Sequence, residues 1–189
     1  MRILIAVASR HGSTLEMAEA IGTRLRDVGH DAVATSVTEV HDLSGYDAFV
    51  VGSATYRGRW LPDATTFVRR NAAVLASQPT WLFSSGPLSD EPIDEQRDEQ
   101  LIAAEPREIA ELAELVGARG HRVFFGALDP NALGVRDRAF RAIPFVSAGL
   151  RAGDFRDLND LEAWADRIDR ELGWDPNTEP GRRPDQEVR

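Results

Sequence analysis

The residues best suited to chemistry lie in three short stretches, each following a run of apolar residues. The first is Ser9-Arg10-His11-Gly12-Ser13-Thr14. It joins a β-branched run, Ile3 to Ala8, to a segment with helical periodicity. A helix start presents unpaired N–H groups and the positive end of a dipole, so an anion belongs there. Ser9, Ser13 and Thr14 add hydroxyl donors, and Gly12 lets a backbone approach closely. Such a loop can hold a phosphate monoester with little help from a cationic side chain. The alternative is an ordinary strand-to-helix turn with Ser/Thr caps.

The second stretch is Ser53-Ala54-Thr55-Tyr56-Arg57-Gly58-Arg59-Trp60. Tyr56 and Trp60 offer flat surfaces, Arg57 and Arg59 local positive charge, and Gly58 backbone freedom for wrapping a planar ring. Trp60 could equally cover the helix that follows. The third stretch, Ser84-Ser85-Gly86-Pro87-Leu88, is short and can offer backbone N–H and C=O groups to a ring edge. Other nucleotide-binding motifs are missing. No G-x-G-x-x-G follows the first strand, and no G-x-x-x-x-G-K-[ST] occurs. The ends of the first and third strands, Ala8-Ser9 and Ser53-Ala54, lack the acidic residues of a phosphorylatable receiver.

The elements that position these stretches alternate. Strands are expected at Ile3–Ala8, 31–37, Ala48–Ser53, Thr80–Ser85 and Arg122–Leu128. Between them lie helical patterns. Ala18, Ile21, Leu25 and Val28 share one face before Gly29. Pro62 opens a helix that buries Ala64, Phe67, Val68 and Leu75. Pro106 opens another, with Ile109, Leu112 and Val116 inward and Gly117 near its end. Leu161, Trp164, Ala165, Ile168 and Leu172 mark a closing helix. Strict alternation implies a parallel sheet with helices on both faces. Five strands fit the doubly wound order 2-1-3-4-5, in which ligands sit beyond the carboxyl ends of the strands. Residues 129–156 form an insertion after the last strand, and 173–189, rich in Pro, Gly and charge, are expected to be a disordered tail.

Composition narrows the functions. A net charge of −9 argues against nucleic-acid binding. With no Cys there is no disulfide, thiolate metal site or cysteine nucleophile. The four His are scattered without metal-ligand spacing and read as surface or turn residues. The acidic stretch 89–99 reads as a solvated face. The apolar start breaks at Ser9-Arg10-His11, too early for a signal peptide, so a cytoplasmic location is expected.

Together the three stretches resemble a flavodoxin, whose phosphate loop is usually T-x-T-G-x-T. Here it is S-R-H-G-S-T, with His11 in a Thr position. Over residues 1–172 the chain is similar to the menaquinone-dependent protoporphyrinogen oxidase family. The likeness is carried by ASRHGSTLEMA, VGSATYRGRWLPDATTFVRRN and the insertion from FFGALDPNALG to LNDLEAWAD. The resemblance implies a three-layer flavodoxin-like α/β fold holding FMN non-covalently. Ser9, Arg10, His11, Gly12, Ser13 and Thr14 would hold its phosphate. Ala54, Thr55, Tyr56, Arg57 and Gly58, with Ser84, Ser85, Gly86, Pro87 and Leu88, would hold its ring. It further implies an FMN-dependent oxidoreductase that passes electrons from an organic, porphyrinogen-type substrate to a quinone. Two alternatives stay open: a shuttle that docks with redox proteins, and a flavodoxin-like module without flavin. Segment 89–95 is acidic, opposite in sign to what porphyrin propionates attract. Residues 131–151 mix apolar side chains with Arg136, Arg138, Arg141 and Arg151. That pattern suits either a seal on the sheet edge or a peripheral contact at the inner face of an anionic membrane.

Overall fold

The computed structural model of the protein describes residues 1–86, 105–128, 153–154 and 156–173. The described elements, in chain order, are β1 (Arg2–Ala8), α1 (Ser13–Asp27), β2 (Asp31–Ser36), β3 (Ala48–Tyr56), β4 (Arg59–Trp60), α2 (Pro62–Arg70) and α3 (Ala72–Ala76). They continue with β5 (Thr80–Ser85), α4 (Ile109–Val116), β6 (Gly120–Phe124), β7 (Ala127–Leu128), β8 (Gly153–Asp154) and α5 (Leu158–Leu172). The five long strands pair in parallel in the order β2-β1-β3-β5-β6. Setting aside the short β4, this is the expected 2-1-3-4-5 order.

Alternation along each strand decides which helix layer a side chain meets. Ile3, Ile5 and Val7 face one core with α1 and α5, built from Met17, Ala18, Ile21, Leu25, Leu161, Trp164, Ala165 and Ile168. Leu4, Ala6 and Ala8 face the other, with Ala64, Phe67, Val68, Leu75, Ile109, Leu112 and Val116. The first core is keyed by three aromatic rings in edge-to-face contact: Phe83, Phe124 and Trp164, with centroids 5.4–6.1 Å apart. The outer surfaces of α1 and α5 are tied by Arg24, whose guanidinium makes two bonds to the Asp166 carboxylate at 2.7 and 3.2 Å.

The structure revises four boundaries. β3 runs on to Tyr56, and the segment read as a loop is a hairpin in which Thr55 pairs with Trp60 and Tyr56 with Arg59. The helix opened by Pro62 breaks at Asn71, whose side-chain amide donates to the Phe67 carbonyl and diverts the chain into α3. After Pro106 the helix proper begins at Ile109. The run 122–128 is two strands: β6 ends at Phe124, and Ala127–Leu128 leaves the sheet to pair antiparallel with Gly153–Asp154. A Cβ on Gly126 would lie 3.3 Å from Ser85 Oγ and 3.4 Å from the Gly86 nitrogen, so the chain turns tightly past the end of β5. The insertion between β7 and β8, with the acidic stretch 89–99 and the tail from residue 174, lies outside the described residues.

Two histidines read from sequence as surface or turn residues point inward instead: His30 is buried and His121 half-buried. His30 is 5% exposed, with Nε2 2.9 Å from Asp169 Oδ1. Burial lowers its pKa more than Asp169 raises it. A depressed His pKa gives stability that is full above the unfolded value, about 6.5, and is lost as pH falls toward the folded value. The slope approaches 1.4 kcal/mol per pH unit for such a group. His30→Gln is therefore expected to lose less stability than the wild type between pH 7 and 5.5. Urea denaturation at the two pH values measures it, and identical losses would contradict the assignment.

Candidate functional site

Register brings three strand ends together. Ala8 lies beside Ser53 across β1 and β3, and Ala54 beside Ser85 across β3 and β5. The chain leaves all three strands at the same edge of the sheet, where the first, second and third stretches meet.

The first stretch is a turn into α1. Gly12 is its N-cap, with φ of 91° and no side-chain cap; a Cβ there would meet nothing within 4 Å. Ser9 Oγ accepts the Gly12 N–H at 3.0 Å, closing the turn. The Glu16 N–H donates to the Gly12 carbonyl at 3.0 Å, tying the first turn of α1 to its cap. Thr14 is fully buried, and its Oγ1 has no hydrogen-bond partner among the described residues. A buried hydroxyl is normally satisfied, and this one is satisfied by no described residue. Ser13 opens the helix, and its carbonyl lies 3.5 Å from the Arg156 guanidinium, which also binds Glu16 at 2.6 Å. His11 is half-buried. Arg10 reaches across to the second stretch, its guanidinium 4.7 Å above the Tyr56 ring centre.

The second stretch is the tip of the β3–β4 hairpin. Arg57 and Gly58 both have positive φ, 52° and 68°. Left-handed φ at both central positions of a two-residue turn is the geometry that matches strand twist. Ala54 is buried, and Thr55 Oγ1 is a second buried hydroxyl without a partner among the described residues. The third stretch lies against it. Gly86 takes φ of 128°, where a side chain would be strained, and a Cβ there would lie in ordinary contact 3.5 Å from Thr55 Cβ. Its N–H donates to the Phe124 carbonyl at 2.9 Å. Ser85 is buried next to it. Pro87 and Leu88 lie outside the described residues.

Ser84 behaves differently. It is fully buried and its hydroxyl is taken up inside the protein, accepting from Trp60 Nε1 at 2.7 Å and lying 2.8 Å from His121 Nε2. Trp60 is 4% exposed and packs in the core beside α2, so it is no open stacking surface. Sequence reasoning missed His121, Glu105 and Glu108. The signal that could have found His121 is its place two residues before the inward Val123 on an edge strand. Among the described residues no group of three or more acidic or His side chains could hold a metal. No described helix is long and apolar enough to cross a membrane.

A family model described as Flavodoxin domain matches residues 4–146. Over 94 residues the chain is 28% identical to protoporphyrinogen IX dehydrogenase (quinone) of Escherichia coli strain K12, which covers 49% of this chain and 52% of that protein. The chain thus spans about half the length of the curated relatives it matches. Oxidised flavodoxin 1 from Bacillus cereus superposes with a TM-score of 0.58 at 14% identity, covering 91% of this chain and 99% of that one. Rubredoxin:oxygen oxidoreductase from the anaerobe Desulfovibrio gigas superposes with a TM-score of 0.58 at 18% identity, covering 91% of this chain but 36% of that one. These structural likenesses are likenesses of fold. With three quarters of its length matched by the family model, the chain belongs to the flavodoxin domain family.

Proposed function

We propose that the protein is an FMN-dependent oxidoreductase. The observation that carries this reading is Thr14: a fully buried hydroxyl, without a partner among the described residues, in the first turn of a helix whose glycine N-cap leaves its N–H groups uncapped by any side chain. A phosphate answers both deficits. In this reading Ser9 to Thr14 hold the phosphate. The first-turn N–H groups and the Ser13 and Thr14 hydroxyls donate, while Ser9, already tied to Gly12, still has its own O–H to give. Ala54 to Gly58, with Ser85 and Gly86, border the ring, chiefly through backbone groups, with Thr55 Oγ1 free to bond a ring heteroatom and Ser84 lying behind them. Arg10 stiffens Tyr56 at the border of the two subsites. When bound, FMN supplies reversible redox chemistry that none of these side chains possesses.

The hairpin tip gives a direct check on the ring subsite. A Cβ on Gly58 would meet nothing within 4 Å, so a side chain there acts through its left-handed φ and through whatever lies above it. Gly58→Val is expected to keep the far-UV circular dichroism spectrum. It should also change the potential or the occupancy of the flavin. An unaltered flavin spectrum and potential would place the ring elsewhere.

For the substrate, the similarity to protoporphyrinogen IX dehydrogenase (quinone) supports oxidation of a porphyrinogen-type compound with transfer of the electrons to a quinone. The test is anaerobic. Protoporphyrinogen should bleach the bound flavin, and a menaquinone analogue should restore its colour. Bleaching by a redox protein alone, with neither small molecule reacting, would identify an electron shuttle instead.

A further inference from the structure

Behind the proposed ring subsite runs a chain of hydrogen bonds, buried at Trp60 and Ser84 and reaching the surface at Glu105, that the electron-transfer role leaves unused. Trp60 Nε1 is 2.7 Å from Ser84 Oγ, Ser84 Oγ is 2.8 Å from His121 Nε2, and His121 Nδ1 is 3.1 Å from Glu105 Oε1. Chemistry fixes its direction. An indole N–H only donates, so Ser84 accepts from Trp60. A carboxylate only accepts, so the imidazole carries its hydrogen on Nδ1, toward Glu105. Nε2 is then an acceptor, and the Ser84 hydroxyl hydrogen goes to it. Every member is satisfied by this one assignment.

Serine, histidine and a carboxylate in this order can activate a nucleophile. Here Ser84 has no exposed surface and its oxygen is already bonded by Trp60, so that role is closed. The chain instead ties elements together. Trp60 closes the hairpin against Thr55, and Ser84 precedes Ser85, the last residue of β5, and Gly86 just beyond it. The turn that supplies Glu105 holds the same hairpin twice more. The Arg107 N–H donates to the Gly58 carbonyl at 3.1 Å, and Glu108 Oε1 accepts the Trp60 backbone N–H at 2.7 Å.

We propose that His121 is a positioning residue for the hairpin tip. In its neutral form, with the hydrogen on Nδ1, it locks Ser84 and Trp60 and so fixes the hairpin whose tip is Arg57–Gly58; protonation releases that lock. A protonated ring points a donor at Ser84 Oγ, which then receives hydrogens from both sides. Its own hydrogen is left without an acceptor in a buried setting. Among the described residues, the charged groups around this chain of hydrogen bonds are few. Glu105 faces the ring from the turn, and Glu108 and Arg59, 3.9 Å apart, flank Trp60. Arg122, the next residue on β6, belongs to the opposite face, where it pairs with Asp160. Burial lowers the His121 pKa and outweighs the opposing pull of Glu105, which keeps the lock closed at neutral pH.

The lock stands on the apoprotein; only its bearing on the flavin rests on the function proposed above. The test is a nitrogen-15 NMR titration of full-length apoprotein from pH 7.5 to 5, repeated with FMN bound. At pH 7.5 His121 is expected as the Nδ1–H tautomer. On acidification the Trp60 indole N–H and the Arg57 and Gly58 amides should shift with the same midpoint as the imidazole. Exchange of the indole hydrogen should rise about tenfold as one buried hydrogen bond is lost. His121→Gln, which offers an acceptor but no titration, should abolish the shared midpoint, and with FMN bound it should remove the matching inflection in the flavin potential. Indole and amide resonances that ignore the imidazole titration, or a doubly protonated ring at pH 7.5, would overturn the proposal. A shared midpoint in a protein that takes up no FMN would leave the lock standing and overturn the flavin reading alone.

Discussion

Thr14→Val is expected to stabilise the apoprotein and weaken FMN binding at the same time. Valine matches threonine in shape, so packing at this fully buried position is kept and only the hydroxyl is lost. In the apoprotein that hydroxyl has no partner among the described residues. Removing a buried unsatisfied polar group should raise stability by about 1 kcal/mol. With FMN bound, the same hydroxyl would donate to a phosphate oxygen, a bond to a charged group worth roughly 1.5–3 kcal/mol. Its loss lowers affinity about tenfold or more. Opposite signs in the two measurements, denaturation of the apoprotein and FMN titration, are what a ligand-directed side chain produces. A variant weakened in both would make Thr14 a structural residue and nothing more.

The second large effect is on the fold. Gly52 sits in the middle of β3, beside Phe83 of β5. A Cβ on Gly52 would fall 2.2 Å from Phe83 Cε1 and 2.3 Å from its Cζ. The ring has little room to retreat, because it is fully buried with Phe124 and Trp164 edge-on against it. Alanine normally suits a strand interior better than glycine by roughly 0.5–1 kcal/mol. Here overpacking outweighs that gain, and Gly52→Ala is expected to destabilise by about 3 kcal/mol. Adding Phe83→Leu, which vacates the space, should recover part of the loss. Equilibrium unfolding of the single and double variants checks this, and a Gly52→Ala protein as stable as the wild type would refute it.

Some features could be read from the chain because local chemistry fixes them. Ile3 to Ala8 is buried on both faces of a central strand, and such strands carry uninterrupted apolar residues. Pro62 and Gly117 mark helix ends because one lacks an N–H and the other takes left-handed φ. The turn into α1 was legible for the same reason: Gly12 has a conformational task next to hydroxyl residues at a helix start.

What stayed hidden depends on contacts between distant segments. The Arg57–Gly58 hairpin lacks the Asn-Gly or Asp-Gly pair that usually announces such a turn. It is held instead by Arg107 and Glu108, far along the chain. Trp60 could stack or pack from sequence alone, and only Ser84 on another strand decides that its indole N–H points inward. His30 and His121 looked like surface residues because their partners, Asp169 and Glu105, arrive from other elements. The end of β6 was missed because the apolar run from Val123 continues through a change of sheet.

A phosphate-directed flavin site is tested most directly by one titration. Purified apoprotein is titrated with FMN and, separately, with riboflavin, following quenching of flavin fluorescence. Saturable binding of one FMN per chain is expected, with riboflavin weaker by about tenfold or more because it lacks the group that the Ser9 to Thr14 loop is proposed to hold. Equal affinity for the two flavins, or no binding of either, would contradict it.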